Sequence, residues 1–236
     1  MRTKTARKPI EQKAAAARRG QQGVNRTGQL IEALRERIAR QDAAPGAKLG
    51  EAEIALEFGM PRAQVREAFS ALEQRGLIER IPNRGAIVAR LNPANVFHIY
   101  DTREVLEGLC VRLATQNVPH ESWQDLLDLF KGPMQGYVEK SDFDAFLTGY
   151  AQFRARSIEA ARNPVLEQML DSIYEKTQVL IRRIIILPGR ARQGLREHVA
   201  VLQAMRHGNA EKAEALRREN MRSAKACLQN FQKYVL

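Results

Sequence analysis

Residues 59–89 read GMPRAQVREAFSALEQRGLIERIPNRGAIVA and contain two different hydrophobic periods. In the first half, Val65, Phe69 and Leu72 recur at helical spacing. Gly76 follows them and is a typical residue after the end of a helix. In the second half, two short β-rich runs flank a Pro-Asn-Arg-Gly turn, which predicts a hairpin. The stretch therefore predicts one amphipathic helix followed by a two-stranded wing.

The chain before this stretch supplies the rest of a small helical fold. Leu30, Ile31, Leu34 and Ile38 form one helical stripe that ends at the AAPG turn of residues 43–46. A short helix, GEAEIALEF, follows and is broken at Gly59. We place Pro61 at the first position of the next helix. Helix, helix-turn-helix and hairpin is the order of a winged helix.

Beyond Asn92-Pro93 the hairpin signals end and helical patterns continue to the C-terminus. Ser141 with Asp144 resembles a capping box, and Asn163 before Pro164 is a typical helix start. The expected helices are at about 94–117, 121–139, 142–162, 164–187, 190–207 and 210–234. The predicted fold is mainly α: a winged helix-turn-helix of three helices and a β-hairpin wing at 27–92, then an all-α bundle at 93–236.

The 236 residues carry a net charge of +11, and most of the excess lies at the N-terminus. Residues 1–26 hold eight Lys or Arg against one acidic residue, Glu11, and form a basic tail. Such a tail suits a polyanion, although it is also typical of a solvated arm. The two cysteines and the longest apolar run favour neither a disulfide framework nor a membrane span, so a protein of the reducing cytosol is expected.

The predicted second helix of the helix-turn-helix carries groups that can read DNA. Arg62 and Arg66 are four residues apart on one face, and Gln64 lies near them. Arg can hold guanine bidentately and Gln can hold adenine. Arg84 in the hairpin turn adds a cation that a wing places at the minor groove or a phosphate. An ordinary amphipathic helix with solvated charges is the alternative.

The same residues resemble the winged helix of GntR-family transcription regulators over about residues 28–91. That family's pattern is roughly G-V-S/T-R-x-P-V-R-E-A-L, then L-x-x-x-G-L, then N-R-G-x-x-V. Two departures are Pro61 in place of the family's Ser or Thr, and Gly50-Glu51-Ala52-Glu53 in place of S-E-R-E. The resemblance implies a double-stranded operator DNA as partner and DNA contacts at Arg62, Gln64, Arg66, Arg84 and Gly85.

The bundle resembles the FCD effector domains of the FadR branch of that family. The resemblance rests on DTREVLEGLCVRLA, YAQFRARSIEAARNPVL and LREHVAVLQAMRHGNAEKAEALRREN. Many FCD domains hold a divalent metal through one Asp and three His. Laid onto this chain, these four positions fall on Tyr150, Arg154, His198 and Asn220. Since one of the four ligands remains and a guanidinium has no lone pair to give, we predict no metal and no other cofactor.

Arg154 is the unexpected residue of this set, because it follows Tyr150 by four residues on a helix with an apolar stripe. A buried guanidinium is stabilised by a carboxylate. We predict that Arg154 anchors a small carboxylate effector, with Tyr150, His198, Asn220 and Arg103 around it. Two alternatives are an internal pair with Glu107 or Asp101, and a side chain that extends to solvent.

The sequence therefore predicts a DNA-binding repressor, a homodimer on a near-palindromic operator, whose DNA affinity is controlled by a small carboxylate. An FCD regulator with non-standard metal ligands and a constitutive DNA binder whose bundle only dimerises are the alternatives. An enzyme is not favoured, because no Ser or Cys has a recognisable base partner and the four His are scattered.

Overall fold

The computed structural model describes residues 26–40, 42–82, 85–90 and 93–235, without the side chains of 93, 94, 175, 176, 179, 234 and 235. The chain divides into two compact units, and the boundary falls after Arg90. The sequence places this boundary after Asn92. The predicted basic tail, residues 1–26, lies outside the described residues apart from Arg26, which already belongs to the first helix.

The first unit is a helix-turn-helix with a small sheet. Its first helix, α1 (residues 26–40), buries Leu30 and Leu34. Arg26 donates a hydrogen bond of 2.9 Å to the carbonyl of Gly59 in the turn of the helix-turn-helix. Pro61 is the residue before the third helix and not its first member, because its backbone is extended, with φ −61° and ψ 140°. The elements after α1 are β1 (Lys48–Leu49), α2 (Glu51–Glu57), α3 (Arg62–Gln74), β2 (Ile78–Ile81) and β3 (Gly85–Val88).

The wing is a three-stranded antiparallel sheet in the order β1-β3-β2. Ile78 lies opposite Val88 and Ile81 lies opposite Gly85, as expected for the predicted hairpin. The third strand, β1, was not predicted, and it pairs Leu49 with Ala86. A side chain at position 85 would place its Cβ 2.5 Å from the Leu49 carbonyl, and Gly85 has a φ of +90°. The contact between β1 and β3 therefore requires glycine there.

The second unit is helical throughout its regular elements. The helix expected at 121–139 is instead a short 3-10 turn (His120–Trp123) and two helices that break at Gly132. Pro133 explains the break, since a proline disfavours helical backbone at the residue before it. The helices are α4 (Pro93–Asn117), α5 (Gln124–Lys131), α6 (Pro133–Glu139), α7 (Phe143–Ala161), α8 (Pro164–Ile185), α9 (Arg190–Arg206), α10 (Ala210–Asn230) and α11 (Gln232–Val235).

Side chains at the helix starts fix the ends of α7 and α8. The cap of α7 is Asp142, which accepts a hydrogen bond from the Ala145 amide, and not Ser141 as expected. Asn163 caps α8 through the Leu166 amide, with Pro164 at the first position, which confirms the prediction. These caps satisfy amides that a helix start leaves without partners.

The bundle surrounds α4, which packs chiefly against α10 and α7. Its apolar core is built around Trp123, Phe130, Met134 and Phe153. None of the helices in the described ranges is both long and apolar enough to cross a bilayer. The same buried interior contains six charged or amide side chains, and they are Arg103, Glu107, Arg190, His198, Arg217 and Asn220.

Candidate functional site: the reading helix and the bundle cavity

The exposed face of α3 carries two of the predicted DNA contacts. Arg62 and Arg66 are both exposed. The Arg66 Nε donates to Glu51 on α2 at 2.8 Å, and the Arg80 guanidinium lies 3.8 Å from the same carboxylate. Arg80 on β2 is a further cation of this face that sequence reasoning missed. Its proximity to Arg66 depends on the wing folding back on the helix-turn-helix.

Gln64 and the wing tip differ from the expectation. The Gln64 side chain is half-buried, and its Oε1 is buried without a hydrogen-bond partner among the described residues. Bidentate reading of adenine needs both amide atoms at the surface, so this conformation does not present Gln64 as predicted. Gly85 has the structural role described above, and Arg84 lies outside the described residues. Base and phosphate contacts by these residues stay predictions.

A cavity of about 50 Å³ lies in the bundle between α4, α7, α8, α9 and α10. Four of the five predicted effector contacts line it, and they are Arg103, Tyr150, His198 and Asn220. Tyr100 and Arg190 line it as well. The remaining wall is apolar and includes three isoleucines of α8. The structure therefore brings polar groups from four helices to one cavity.

Arg217 of α10 is the centre of the polar network beside this cavity. Its Nη1 donates to His198 Nε2 and to Asn220 Oδ1, both at 2.8 Å. Its Nη2 donates to the Glu107 carboxylate and, at 3.2 Å, to the Tyr150 hydroxyl. One guanidinium thus ties together side chains of α4, α7, α9 and α10. It is 1% exposed, so these bonds are shielded from water.

His198 is a neutral acceptor in this network. Its Nδ1 lies 2.7 Å from the Gly194 carbonyl, which can only accept, so Nδ1 carries the proton. Nε2 then holds the lone pair that accepts from Arg217. Burial, followed by the nearby charge of Arg217, lowers the pKa of His198 to about 3. The imidazole is therefore uncharged at neutral pH, and its one free lone pair is already in use.

Arg103 of α4 is the cation with donors left over. Its Nε donates to Glu107 at 2.7 Å, and its Nη2 lies 3.4 Å from the Tyr150 hydroxyl, which is long for a hydrogen bond. Its Nη1 is buried and has no hydrogen-bond partner among the described residues. The rings of Tyr100 and Tyr174 lie 5.0 and 5.3 Å from the guanidinium carbon and stabilise its charge, but they offer no acceptor in its plane.

The buried charges around the cavity do not cancel. The cations are Arg103, Arg190 and Arg217, and their carboxylate partners are Glu107 and Glu197. Burial alone would raise the pKa of Glu107, but the charges of the two arginines beside it outweigh burial and lower that pKa to about 2. Among the described residues of this cluster, three arginines face two carboxylates, and one positive charge therefore remains without a counterion.

Comparison with known proteins finds a matching family for each of the two units. Residues 26–88 match the family described as bacterial regulatory proteins, gntR family, and residues 98–223 match the FCD domain. An uncharacterized HTH-type transcriptional regulator of Agrobacterium vitis is 32% identical over 140 residues, which are 58% of this chain and 81% of the relative. The chain belongs to the GntR family of transcription regulators, with an FCD domain.

Two further proteins extend the comparison over most of the chain. The galactonate operon transcriptional repressor of Escherichia coli (strain K12) is 25% identical over 212 residues, which cover 81% of this chain and 91% of the repressor. The structure of E. coli McbR/YncC has a TM-score of 0.74 at 23% identity and covers 89% of this chain and 98% of that one. This likeness shows the fold. The GntR assignment also makes this protein a regulator and not an enzyme.

Arg154 does not line the cavity of this GntR regulator together with His198, which corrects the sequence expectation. Its guanidinium carbon lies 3.7 Å from the centre of the Tyr174 ring, and its Nη2 lies 3.9 Å from the exposed Asp171. Phe153 takes the inward position on α7 instead. The alternative partners of Arg154 are also excluded, because Glu107 binds Arg103 and Arg217 while Asp101 binds Lys225.

The divalent metal that the FCD resemblance implies does not fit this cluster. The one imidazole at the site already accepts from Arg217, whose positive charge lies where a metal ion would have to bind. Tyr150 and Asn220, at two other ligand positions, also accept from Arg217. In the described part of the chain, no group of three His, Cys, Asp or Glu side chains is placed to hold a metal.

Arg217 and Arg190 were missed by sequence reasoning in this regulator. For Arg217 a signal exists: it lies three residues before Asn220 and four after Ala213, on the buried stripe of α10. For Arg190 the signal is weaker, because it is the first residue of α9 and follows a Gly. The sequence pattern indicated Arg154 near the apolar stripe of α7. It did not indicate Arg217, which lies on the buried stripe of α10.

Proposed function

We propose that this GntR regulator is a repressor that binds operator DNA as a homodimer in the cytoplasm and responds to a small carboxylate bound in the bundle cavity. The winged helix would read DNA, with residues 1–26 adding attraction that does not depend on sequence. The relative named as the galactonate operon transcriptional repressor supports the repressor assignment. A two-fold pair of reading helices suits the half-sites of such operators.

The observation that carries the ligand class is that Arg103 lines the cavity while its Nη1 has no hydrogen-bond partner among the described residues. Leaving a buried cationic N–H without an acceptor costs about 1–3 kcal/mol or more. A carboxylate supplies that acceptor and also neutralises the surplus positive charge of the cluster. Arg103 thereby takes the anchoring role that the sequence gave to Arg154.

Arg103 also offers a route from ligand to DNA. It lies on α4, which begins at Pro93. The last strand of the wing ends at Val88, five positions earlier in the sequence. A ligand that binds one placement of α4 more tightly than another shifts the protein toward that placement. We propose that this differential binding changes the affinity for DNA.

The test compares acids with their neutral amides. A duplex selected from a random-sequence pool serves as operator, and its release is measured with carboxylic acids and with the matching primary amides. Acids should release the DNA, and amides should not. Arg103→Gln should lower acid affinity at least about tenfold. Arg222→Gln, an exposed arginine of α10 paired with Glu104, is the matched control. Equal responses to acids and amides would contradict the proposal.

A further inference from the structure

The polar and apolar parts of the cavity lie in two layers. On each of α4, α7 and α10, a polar lining residue has an apolar or aromatic lining residue about one turn away on the same helix. One turn of helix is about 5.4 Å. Part of the apolar layer belongs to the packed core, because Tyr100, Ile184 and Ala224 lie in one buried cluster. The pairs are Arg103 and Tyr100 on α4, Tyr150 and Phe146 on α7, and Asn220 and Ala224 on α10.

The polar layer has donors for one carboxylate. Arg103 Nη1 has no partner among the described residues, and Tyr150 accepts from both Arg103 and Arg217, so the Tyr150 hydroxyl proton remains to be donated. Asn220 is occupied on both sides, since its Oδ1 accepts from Arg217 and its Nδ2 donates to Glu197 at 2.5 Å. One surplus positive charge balances one negative charge and leaves none for a second.

On its α7 and α8 side, the apolar layer has no described side chain that a hydroxyl group could bind. Among the described side chains, α8 contributes Ile181, Ile184 and Ile185 to the cavity, and α7 adds Phe146 and Leu147. A hydroxyl placed among these side chains loses its hydrogen bonds to water without replacement. A methyl or methylene group in the same place gains affinity by leaving water, by about fourfold for each group.

We infer that the ligand of this cavity is an alkyl monocarboxylate of three or four carbons, with its carboxylate at Arg103 and Tyr150 and its chain against the isoleucines of α8. A short chain fits this site because the cavity is small, about 50 Å³. The inference rests on the proposed carboxylate control and adds to it the selection against hydroxylated chains and dicarboxylates.

The test uses four compounds of equal chain length on the full protein: butyrate, 3-hydroxybutyrate, succinate and butyramide. Calorimetric titration should give the tightest binding for butyrate. The chain hydroxyl of 3-hydroxybutyrate should weaken binding by about fivefold to a hundredfold, as expected for one unsatisfied buried hydroxyl. Succinate should be weaker still, because its second charge has no cation. Propionate should bind about fourfold less tightly than butyrate because it lacks one methylene, and hexanoate should also bind less well.

A pair of variants tests whether α8 determines the preference for an alkyl chain over a hydroxylated one. Ile181→Thr introduces a hydroxyl into the apolar layer at a partly exposed position, so the preference for butyrate over 3-hydroxybutyrate should fall several-fold. Ile186→Thr changes an exposed isoleucine of the same segment, outside the cavity, and should keep the preference.

The outcomes separate the two proposals. If the hydroxylated acid or succinate binds as tightly as butyrate while butyramide does not bind, the alkyl-chain inference is wrong and the carboxylate proposal stands. An unchanged preference in Ile181→Thr would likewise overturn the alkyl-chain inference. If no acid binds, or butyramide equals butyrate, both proposals are wrong.

Discussion

The reading helix and the bundle cavity use the same side chain in opposite surroundings. On α3, Arg62 and Arg66 are exposed, so water screens their charge and phosphates or bases can reach them. In the bundle, Arg103 and Arg217 are each 1% exposed, and their charge is stable because Glu107 lies between them. Burial, more than residue type, therefore decides whether an arginine is available to a macromolecule or holds an interior together.

The largest expected effect lies on the buried side of this comparison. Arg217→Met leaves Glu107 with one cation and removes the donors to His198 and Asn220. Removing one partner of a buried ion pair typically costs about 3–5 kcal/mol. We expect a loss of that size in the free energy of unfolding, measured by urea denaturation of the bundle.

The neighbouring arginine gives the matched control. Arg218 pairs with Glu214, and its side chain is 34% exposed. Surface pairs of this kind contribute about 0–1 kcal/mol, so Arg218→Met should have little effect. Similar losses in the two variants would show that the network around Arg217 does not stabilise the bundle.

On the exposed side, the expected effect is on DNA and not on folding. Arg62→Ala should weaken binding to a selected operator by about 1–3 kcal/mol and relax the sequence preference at one position. Its free energy of unfolding should stay near that of the parent. Arg40→Ala removes an exposed charge of α1 that pairs with Glu36 and serves as control. A uniform loss on operator and random DNA would assign Arg62 to a phosphate instead.

A smaller expected effect on the buried side is a dependence of the free energy of unfolding on pH. The pKa of His198 is about 3 in the folded protein, against an ordinary value of 6.5, so the unfolded chain binds a proton that the native protein does not. This part of the stability is present above pH 6.5 and is lost as the pH falls below it. The expected slope is about 1.4 kcal/mol per pH unit.

His198→Gln keeps one donor and one acceptor but cannot titrate, so its unfolding free energy should depend less on pH between 6.5 and 5. His98→Gln, on the exposed face of α4, should keep the parent slope. Urea denaturation at three pH values in this window measures both. An identical slope in His198→Gln would mean that the imidazole is not held neutral in the fold.

The fold was predictable because its signals are local. The stripe of α3, the pairing of β2 with β3 and the cap at Asn163 each involve residues close in sequence, and the structure has all three. The misses depend on distant or subtle partners. Strand β1 exists through its pairing with β3, and the break at Gly132 depends on a proline within an otherwise helical pattern.

The site was predictable in its members but not in its geometry. Tyr150, His198 and Asn220 do meet, yet the guanidinium among them comes from α10 and not from Arg154. A shift of one residue along α7 turns a side chain by about 100°, since a helix has 3.6 residues per turn. That turn moves Arg154 to the edge, and periodicity alone could not resolve it.

The guanidinium of Arg217 is part of the polypeptide, and this sets how the centre of the bundle is assembled. A cation that is covalently attached arrives once per subunit during synthesis, in fixed stoichiometry with the groups it joins. It cannot be exchanged for a competing ion or removed by a chelator, as a bound metal can. The network around Arg217 is therefore assembled by folding alone, at whatever concentration of free metal surrounds the chain.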